Sequence, residues 1–121
     1  MNGVPFIEAE LVLLSQFEGG RKRSLDLTPA GTYYRPHIVV GDRSQRKVIV
    51  KDGNVIDEQY LGVQFRSMPQ VVAPGESATV TMDLIYHPRV SYEQLKPGVE
   101  FTLREGGTIV GHGVVKRVSP K

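Results

Sequence analysis

Residues 103–115 read Leu-Arg-Glu-Gly-Gly-Thr-Ile-Val-Gly-His-Gly-Val-Val. Gly106 and Gly107 separate two β-prone segments, and paired glycines permit the tight reversal of a β-hairpin because they accept positive φ. The pattern predicts strands over Val99–Arg104 and Thr108–Val118. Gly111 and Gly113 are two residues apart, so they share one face of the second strand. That face either packs closely against a neighbouring strand or lets a ligand approach the backbone.

The rest of the chain shows the same short strands punctuated by turns. In Phe6–Leu14 the apolar residues alternate with Glu8 and Glu10, and Ala78–Tyr86 alternates in a similar way. Asp52-Gly53 between β-prone segments predicts a second hairpin. Arg21–Thr32 is expected to be a loop. The remaining predicted strands are Tyr33–Val40, Lys47–Val50, Val55–Tyr60 and Leu61–Arg66. Six to eight strands with hardly any helix predict an all-β barrel or sandwich.

Composition limits the kind of protein. With 121 residues, 40% of them apolar and 23% charged, the sequence predicts one globular domain over residues 1–121. The absence of cysteine excludes disulfides and thiolate metal sites. A net charge of +2 is compatible with RNA binding but does not argue for it. No apolar run approaches the ~20 residues of a membrane span, and the start is unlike a signal peptide, so we expect a cytoplasmic protein.

The sequence carries no recognisable catalytic motif. It has no Gly-x-x-x-x-Gly-Lys-[Ser/Thr] phosphate-binding loop and no Gly-x-Ser-x-Gly nucleophile motif. The three histidines, His37, His87 and His112, do not occur at metal-ligand spacing. We therefore expect no enzyme activity, no GTP binding, no cofactor and no metal site.

Four blocks in order resemble the C-terminal domain of elongation factor Tu. They are Glu18-Gly19-Gly20-Arg21, Tyr34-Arg35-Pro36, Ala73-Pro74-Gly75-Glu76 running on to Leu84-Ile85-Tyr86-His87-Pro88, and the hairpin of residues 103–115. The resemblance implies a single closed antiparallel β-barrel of about six strands, as a standalone domain without the factor's GTPase domain. It fails between Gly41 and Met68, where this chain is longer. We expect an inserted hairpin there, built on Asp52-Gly53, that projects beyond the barrel and whose deletion leaves the barrel folded.

The resemblance also implies a set of RNA contacts. In elongation factor Tu this domain touches the T-stem of aminoacyl-tRNA, and the matching positions here are Glu105, Gly106 and His37, the last in place of the family's glutamine. Phosphate contacts would come from two cationic groups, if they lie side by side: Arg21, Lys22 and Arg23, then Arg43, Arg46 and Lys47. Tyr33 and Tyr34 point to opposite faces, so one of them is free to stack on a base.

Two kinds of function stay open. The first is a translation-related module that binds tRNA or another structured RNA. The second is a protein-interaction module, because the barrel of elongation factor Tu packs on the GTPase domain and binds elongation factor Ts. Such a module would associate with itself or with a translation factor, or act as a decoy for a toxin that targets elongation factor Tu. An isolated barrel would expose the surfaces that its relative buries.

Overall fold

The structure is a computed structural model that describes residues 4–30, 33–47, 50–51, 54–55 and 58–120, with the backbone alone at 50–51 and 54–55. One 3₁₀ turn, Gln16–Glu18, follows the first strand. The strands are β1 Phe6–Leu13, β2 Leu25–Asp26, β3 His37–Val40, β4 Val50–Lys51, β5 Asn54–Val55, β6 Leu61–Gly62, β7 Gln64–Phe65, β8 Val71–Val72, β9 Ser77–Asp83, β10 Glu100–Glu105 and β11 Thr108–Ser119.

The main sheet closes on itself to form a barrel. Its strand order is β6-β3-β10-β11-β1-β9-β7, and all of its pairings are antiparallel. The two end strands, β6 and β7, are separated along the chain by Val63 alone, so they act as one strand that pairs with β3 on one side and β9 on the other. The Val63 amide donates to the Pro36 carbonyl at 3.1 Å and extends this pairing. In the described residues the barrel therefore has six strands, as the sequence resemblance implied.

Alternation along the strands fills the interior. The inward residues of β1, namely Ile7, Ala9, Leu11 and Leu13, are fully buried. They pack against inward residues of β9 and β10, such as Met82, Leu103 and Phe101, in one core cluster. The alternation predicted for the first strand and for the strand beginning near Ala78 is thus confirmed.

The structure corrects three predicted boundaries. The strand predicted over Tyr33–Val40 begins only at His37, and the one predicted to Tyr86 ends at Asp83. The predicted loop Arg21–Thr32 contains β2, which pairs with β8 in a small separate sheet. Leu25 of β2 and the following Leu27 are buried in the core, and this burial holds the segment against the barrel.

The divergent stretch contains a short hairpin with different bounds from those predicted. Val50 pairs with Val55 and Lys51 with Asn54, whereas the prediction paired Lys47–Val50 with Val55–Tyr60. The Asp52-Gly53 turn lies outside the described residues. Hairpin pairing in this stretch is confirmed, but Lys47 and Glu58–Tyr60 lie outside its strands, and the barrel resumes with β6 at Leu61.

The same stretch covers part of the outside of the barrel. Thr102 and Arg104 alternate with the core residues Phe101 and Leu103, so their side chains point outward. They are nevertheless 1% and 0% exposed. Glu58 and Tyr60 contact Arg104 from outside. The chain therefore shields the outer face of β10 with its own residues.

Candidate nucleic-acid interface

Three of the motifs meet at one end of the barrel. The Tyr34 hydroxyl donates to Glu105 Oε2 at 2.6 Å, and Arg21 forms an ion pair with the same oxygen. The Arg21 guanidinium also lies 5.5 Å from the centre of the Tyr34 ring. Burial and the neighbouring Glu105 carboxylate raise the pKa of Tyr34 well above its ordinary value, so the hydroxyl stays a donor. These contacts join loops that are up to 84 residues apart in sequence.

The contacts give Glu105 a structural role, in addition to the RNA contact that the resemblance implies. Arg21 and Tyr34 both bond its Oε2, so the carboxylate holds this end of the barrel together and the Arg21 charge balances it locally. Gly106 and Gly107 behind it are exposed. Gly106 has φ +59°, and a Cβ at either glycine would meet nothing within 4 Å. The turn therefore offers an open stretch of backbone.

Cationic side chains flank this turn. Arg46 and Lys47 line a shallow cavity of about 420 Å³ together with Glu18, Gly107 and Ile109. Arg46 Nε lies 3.5 Å from Glu18 Oε2, which connects the 46–47 segment to the loop that carries the other cations. That loop supplies Arg21 and the exposed Lys22 and Arg23.

The structure thus brings five of the six predicted phosphate-contacting residues to one end. The Arg43 side chain points instead to Glu100 at the other end of β10, with Nε 3.8 Å from Oε2, although the Arg43 carbonyl accepts a hydrogen bond from Arg46 at 2.8 Å. The five cations share this end with two carboxylates, Glu18 and Glu105, each of which contacts an arginine. The surface keeps a formal excess of three positive charges.

Two aromatic side chains stand beside these cations. Tyr33 is 81% exposed, whereas Tyr34 packs edge-on against the core residue Phe65 with ring centres 4.9 Å apart. The prediction that the two tyrosines face opposite ways is confirmed. Phe17, in the 3₁₀ turn before Arg21, is fully exposed. Sequence reasoning missed Phe17, although an aromatic residue inside a short capped turn was a signal for it.

His37 lies near this end on the outside of the barrel. It is opposite Arg104 in the β3–β10 ladder, one residue from Glu105. Its half-buried ring packs edge-on against Tyr60, with ring centres 5.7 Å apart. The three positions that the resemblance implied for RNA contact, His37, Glu105 and Gly106, are therefore neighbours.

A buried ion pair adjoins this region, and no sequence motif indicates it. Arg104 donates to both carboxylate oxygens of Glu58 at 2.8 and 3.1 Å, and to the Tyr60 hydroxyl at 3.0 Å. A further bond runs to Thr102 Oγ1 at 3.1 Å. Burial lowers the pKa of Arg104, but the bonds to Glu58 and Tyr60 raise it by more, so the guanidinium stays charged.

The stability of the domain should depend on pH through His112. Its Nδ1 is buried and has no hydrogen-bond partner among the described residues. Burial lowers the pKa of His112, and the Arg46 and Arg43 charges lower it further. The unfolded chain therefore binds a proton more readily, and stability should fall as pH drops below the ordinary value of 6.5.

Urea unfolding at pH 7.5 and pH 5.5 measures this effect. We expect a lower midpoint at pH 5.5 in the natural protein and a smaller difference in His112→Gln, which does not titrate in this range. An unchanged pH dependence in His112→Gln would show that other groups cause it.

Two negative observations apply to the described ranges. Within them, no three histidine, aspartate or glutamate side chains lie close enough to share a metal ion. Of the helical segments there, none is long and apolar enough to cross a membrane.

The barrel and its open turn define a binding domain of the kind found in translation factors. The chain belongs to the elongation factor Tu C-terminal domain family, which matches residues 3–119. The matched range includes the stretch between Gly41 and Met68, in which no individual motif of the family is recognisable. In elongation factor Tu the domain that defines this family is non-catalytic, and the GTPase activity lies in another domain.

Proposed function

We propose that residues 1–121 form a single non-catalytic domain that binds structured RNA, such as tRNA, through the end of the barrel described above. The observation that carries the proposal is the exposure of Phe17 and Tyr33 among cationic side chains, around the open Gly106-Gly107 turn. We call this the turn surface. It consists of Phe17, Arg21–Arg23, Tyr33, Arg46, Lys47, Gly106 and Gly107.

Each part of the turn surface suits one feature of RNA. Arginine and lysine contact phosphates, and they supply affinity without reading sequence. Exposed aromatic rings stack on unpaired bases, and this stacking accounts for much of single-strand recognition. The glycine turn lets an RNA backbone come close to main-chain N–H groups. Because Glu105 is held by Arg21, its charge repels phosphate less than a free carboxylate would.

Family membership supports an RNA partner related to translation. His37, Glu105 and Gly106 are the positions that the resemblance implies for RNA contact, and they are neighbours in the fold. In this proposal Glu105 positions the turn through its bonds to Arg21 and Tyr34, rather than by accepting a bond from RNA. No cofactor or nucleotide takes part in this proposal. A protein partner is the second candidate, and a separate surface, at the C-terminal end of β11, favours it.

Binding to a labelled RNA stem-loop, followed by fluorescence anisotropy at several salt concentrations, tests the proposal. Arg46→Gln/Lys47→Gln should weaken binding and reduce the slope of log K against log salt by about 2, since each phosphate contact contributes ~0.9 on a duplex. Phe17→Ala should weaken binding by about tenfold, the lower part of the range for one stacked base.

The matched control is Arg89→Gln, which removes an exposed charge from the turn after β9. It should leave affinity and salt slope nearly unchanged. The proposal fails if the natural protein shows no salt-dependent binding, or if Arg89→Gln has the same effect as the turn-surface variants.

A further inference from the structure

The last four residues of β11 have a strand on one side only. β11 pairs with β1 from Gly111 to Ser119. Its pairing with β10 stops at Val114, and the last backbone bonds on that side join Val115 to Val99 and Gly98. In the described part of the chain, Lys116–Ser119 therefore form a free strand edge beside an otherwise closed barrel.

A groove runs along this free edge. Gly98, with φ +90°, turns the chain away from β11, so that the preceding residues leave a space of about 590 Å³. Its apolar lining comes from Tyr92, Leu95, Pro97 and Val118. A second cavity of about 380 Å³ shares Tyr92 and Val118 and adds Leu84 and Val90. This space is in the range of pockets that hold small ligands or short peptide segments.

The groove carries mainly positive charge. Lys96, Lys116 and Arg117 line it, against one carboxylate, that of Glu93. Arg117 pairs with Glu8 at 2.9 Å, and the same carboxylate also attracts Lys116. Lys96 and Lys116 form no ion pair within the described residues, so both are able to pair with a ligand. Lys116 is also the extra residue of the β-bulge opposite Glu8 and Ala9.

These features decide between possible occupants. A second copy of this edge would bring Lys116 and Arg117 close to their own counterparts, and like charges across strands are unfavourable. RNA would gain little from a floor of Tyr92, Leu95 and Val118. An extended chain with alternating acidic and apolar residues suits all three features. Its main chain can bond the unpaired backbone groups, its apolar side chains can contact the apolar floor, and its carboxylates can pair with the lysines.

We propose that Lys116–Ser119 and the adjoining groove bind an extended acidic segment of a partner protein by β-strand addition. The segment's main chain pairs with the free edge of β11, and its alternate apolar side chains enter the groove. Its carboxylates pair with Lys96 and Lys116. The site is separate from the turn surface, because Thr108 and Ser119 lie at opposite ends of β11, which is roughly 35 Å long when measured along the strand. It does not depend on RNA binding.

The test uses a synthetic peptide of alternating valine and glutamate, with the full-length chain as its target. Anisotropy of the labelled peptide should show saturable binding, and Lys96→Glu/Lys116→Glu should weaken it by about tenfold or more. Lys22→Glu, at the other end of the barrel, should leave it unchanged. A peptide with lysine in place of glutamate should not bind. A peptide with proline at every third position, which cannot pair as a strand, should also fail to bind.

Amide hydrogen exchange separates strand addition from simple charge attraction. With the acidic peptide bound, amides within Lys116–Ser119 should exchange more slowly, while those of the Gly106-Gly107 turn should not change. The proposal is overturned if the acidic peptide does not bind, or if it binds without protecting these amides. It is also overturned if the same amides become protected when the protein alone is concentrated, because that assigns the edge to a second copy.

Discussion

Glu58→Ala should lower the free energy of unfolding by about 3–5 kcal/mol, the usual cost of leaving a buried charge without its partner. The reason is the position of Arg104, whose side chain is fully buried and bonded to both Glu58 oxygens. Without Glu58, the guanidinium keeps its charge but loses its counterion at a site where its own side chain has no exposed surface. Urea unfolding followed by circular dichroism measures the change.

Three comparisons make this result specific. Glu100→Ala breaks a more exposed pair with Arg43 and should cost less than about 1 kcal/mol. Tyr60→Phe removes one hydrogen bond to Arg104 and should cost about 1 kcal/mol. Arg104→Met/Glu58→Met removes both charges and should be more stable than Glu58→Ala, since an apolar pair needs no counterion. A Glu58→Ala protein as stable as Glu100→Ala would show that the Arg104 pair does not stabilise the fold.

The same contacts limit which part of the divergent stretch can be removed. The sequence predicted that a hairpin extending to Tyr60 is dispensable. Glu58 and Tyr60 are the partners of buried Arg104, so a deletion that includes them should cost at least as much as Glu58→Ala. A deletion that is expected to leave the barrel stable must therefore end before Glu58. This stretch is part of the support of the barrel and not only an addition to it.

The sequence was sufficient where structure depends on neighbours along the chain. Alternation placed β1 and β9, because each of these strands has one face in the core and most of its outward residues are polar or only partly buried. The Gly106-Gly107 turn was evident for the same local reason. The sequence was not sufficient to predict β2 and β8, because each is two residues long and is defined by pairing with the other across about 45 residues of chain.

Long-range contacts also explain what was missed at the site. Arg104 stands beside a hairpin turn, a position that favours a surface residue, and nothing near it indicates a partner 46 residues away. Glu105 was predicted to contact RNA because of its motif, and the motif did not indicate its structural partners Arg21 and Tyr34, which come from other loops. Arg43 was grouped with Arg46 by sequence proximity, and Arg46 does bond the Arg43 carbonyl, but the Arg43 side chain turns to Glu100, which lies 57 residues further along the chain.

Gly113→Ala should destabilise the domain by about 3 kcal/mol, the upper part of the range for added volume in a packed interior. A Cβ at Gly113 would lie 2.4 Å from the Glu10 carbonyl oxygen and 2.7 Å from Cζ of Phe101. The Phe101 ring is fully buried and has little space to move. The carbonyl belongs to β1, so moving it disturbs the β1–β11 ladder. Of the two roles left open for this glycine, the structure therefore favours close packing over approach of a ligand.

Gly107→Ala is the matched control, because it adds the same methyl group to the same hairpin. A Cβ there meets nothing within 4 Å, and the residue does not require positive φ. The free energy of unfolding of Gly107→Ala should stay within about 0.5 kcal/mol of that of the natural protein, as for most surface substitutions. Thermal or urea unfolding of the two variants side by side gives the comparison. Equal stability of Gly113→Ala and Gly107→Ala would mean that β1 and Phe101 yield easily, and that Gly113 is not needed for barrel packing.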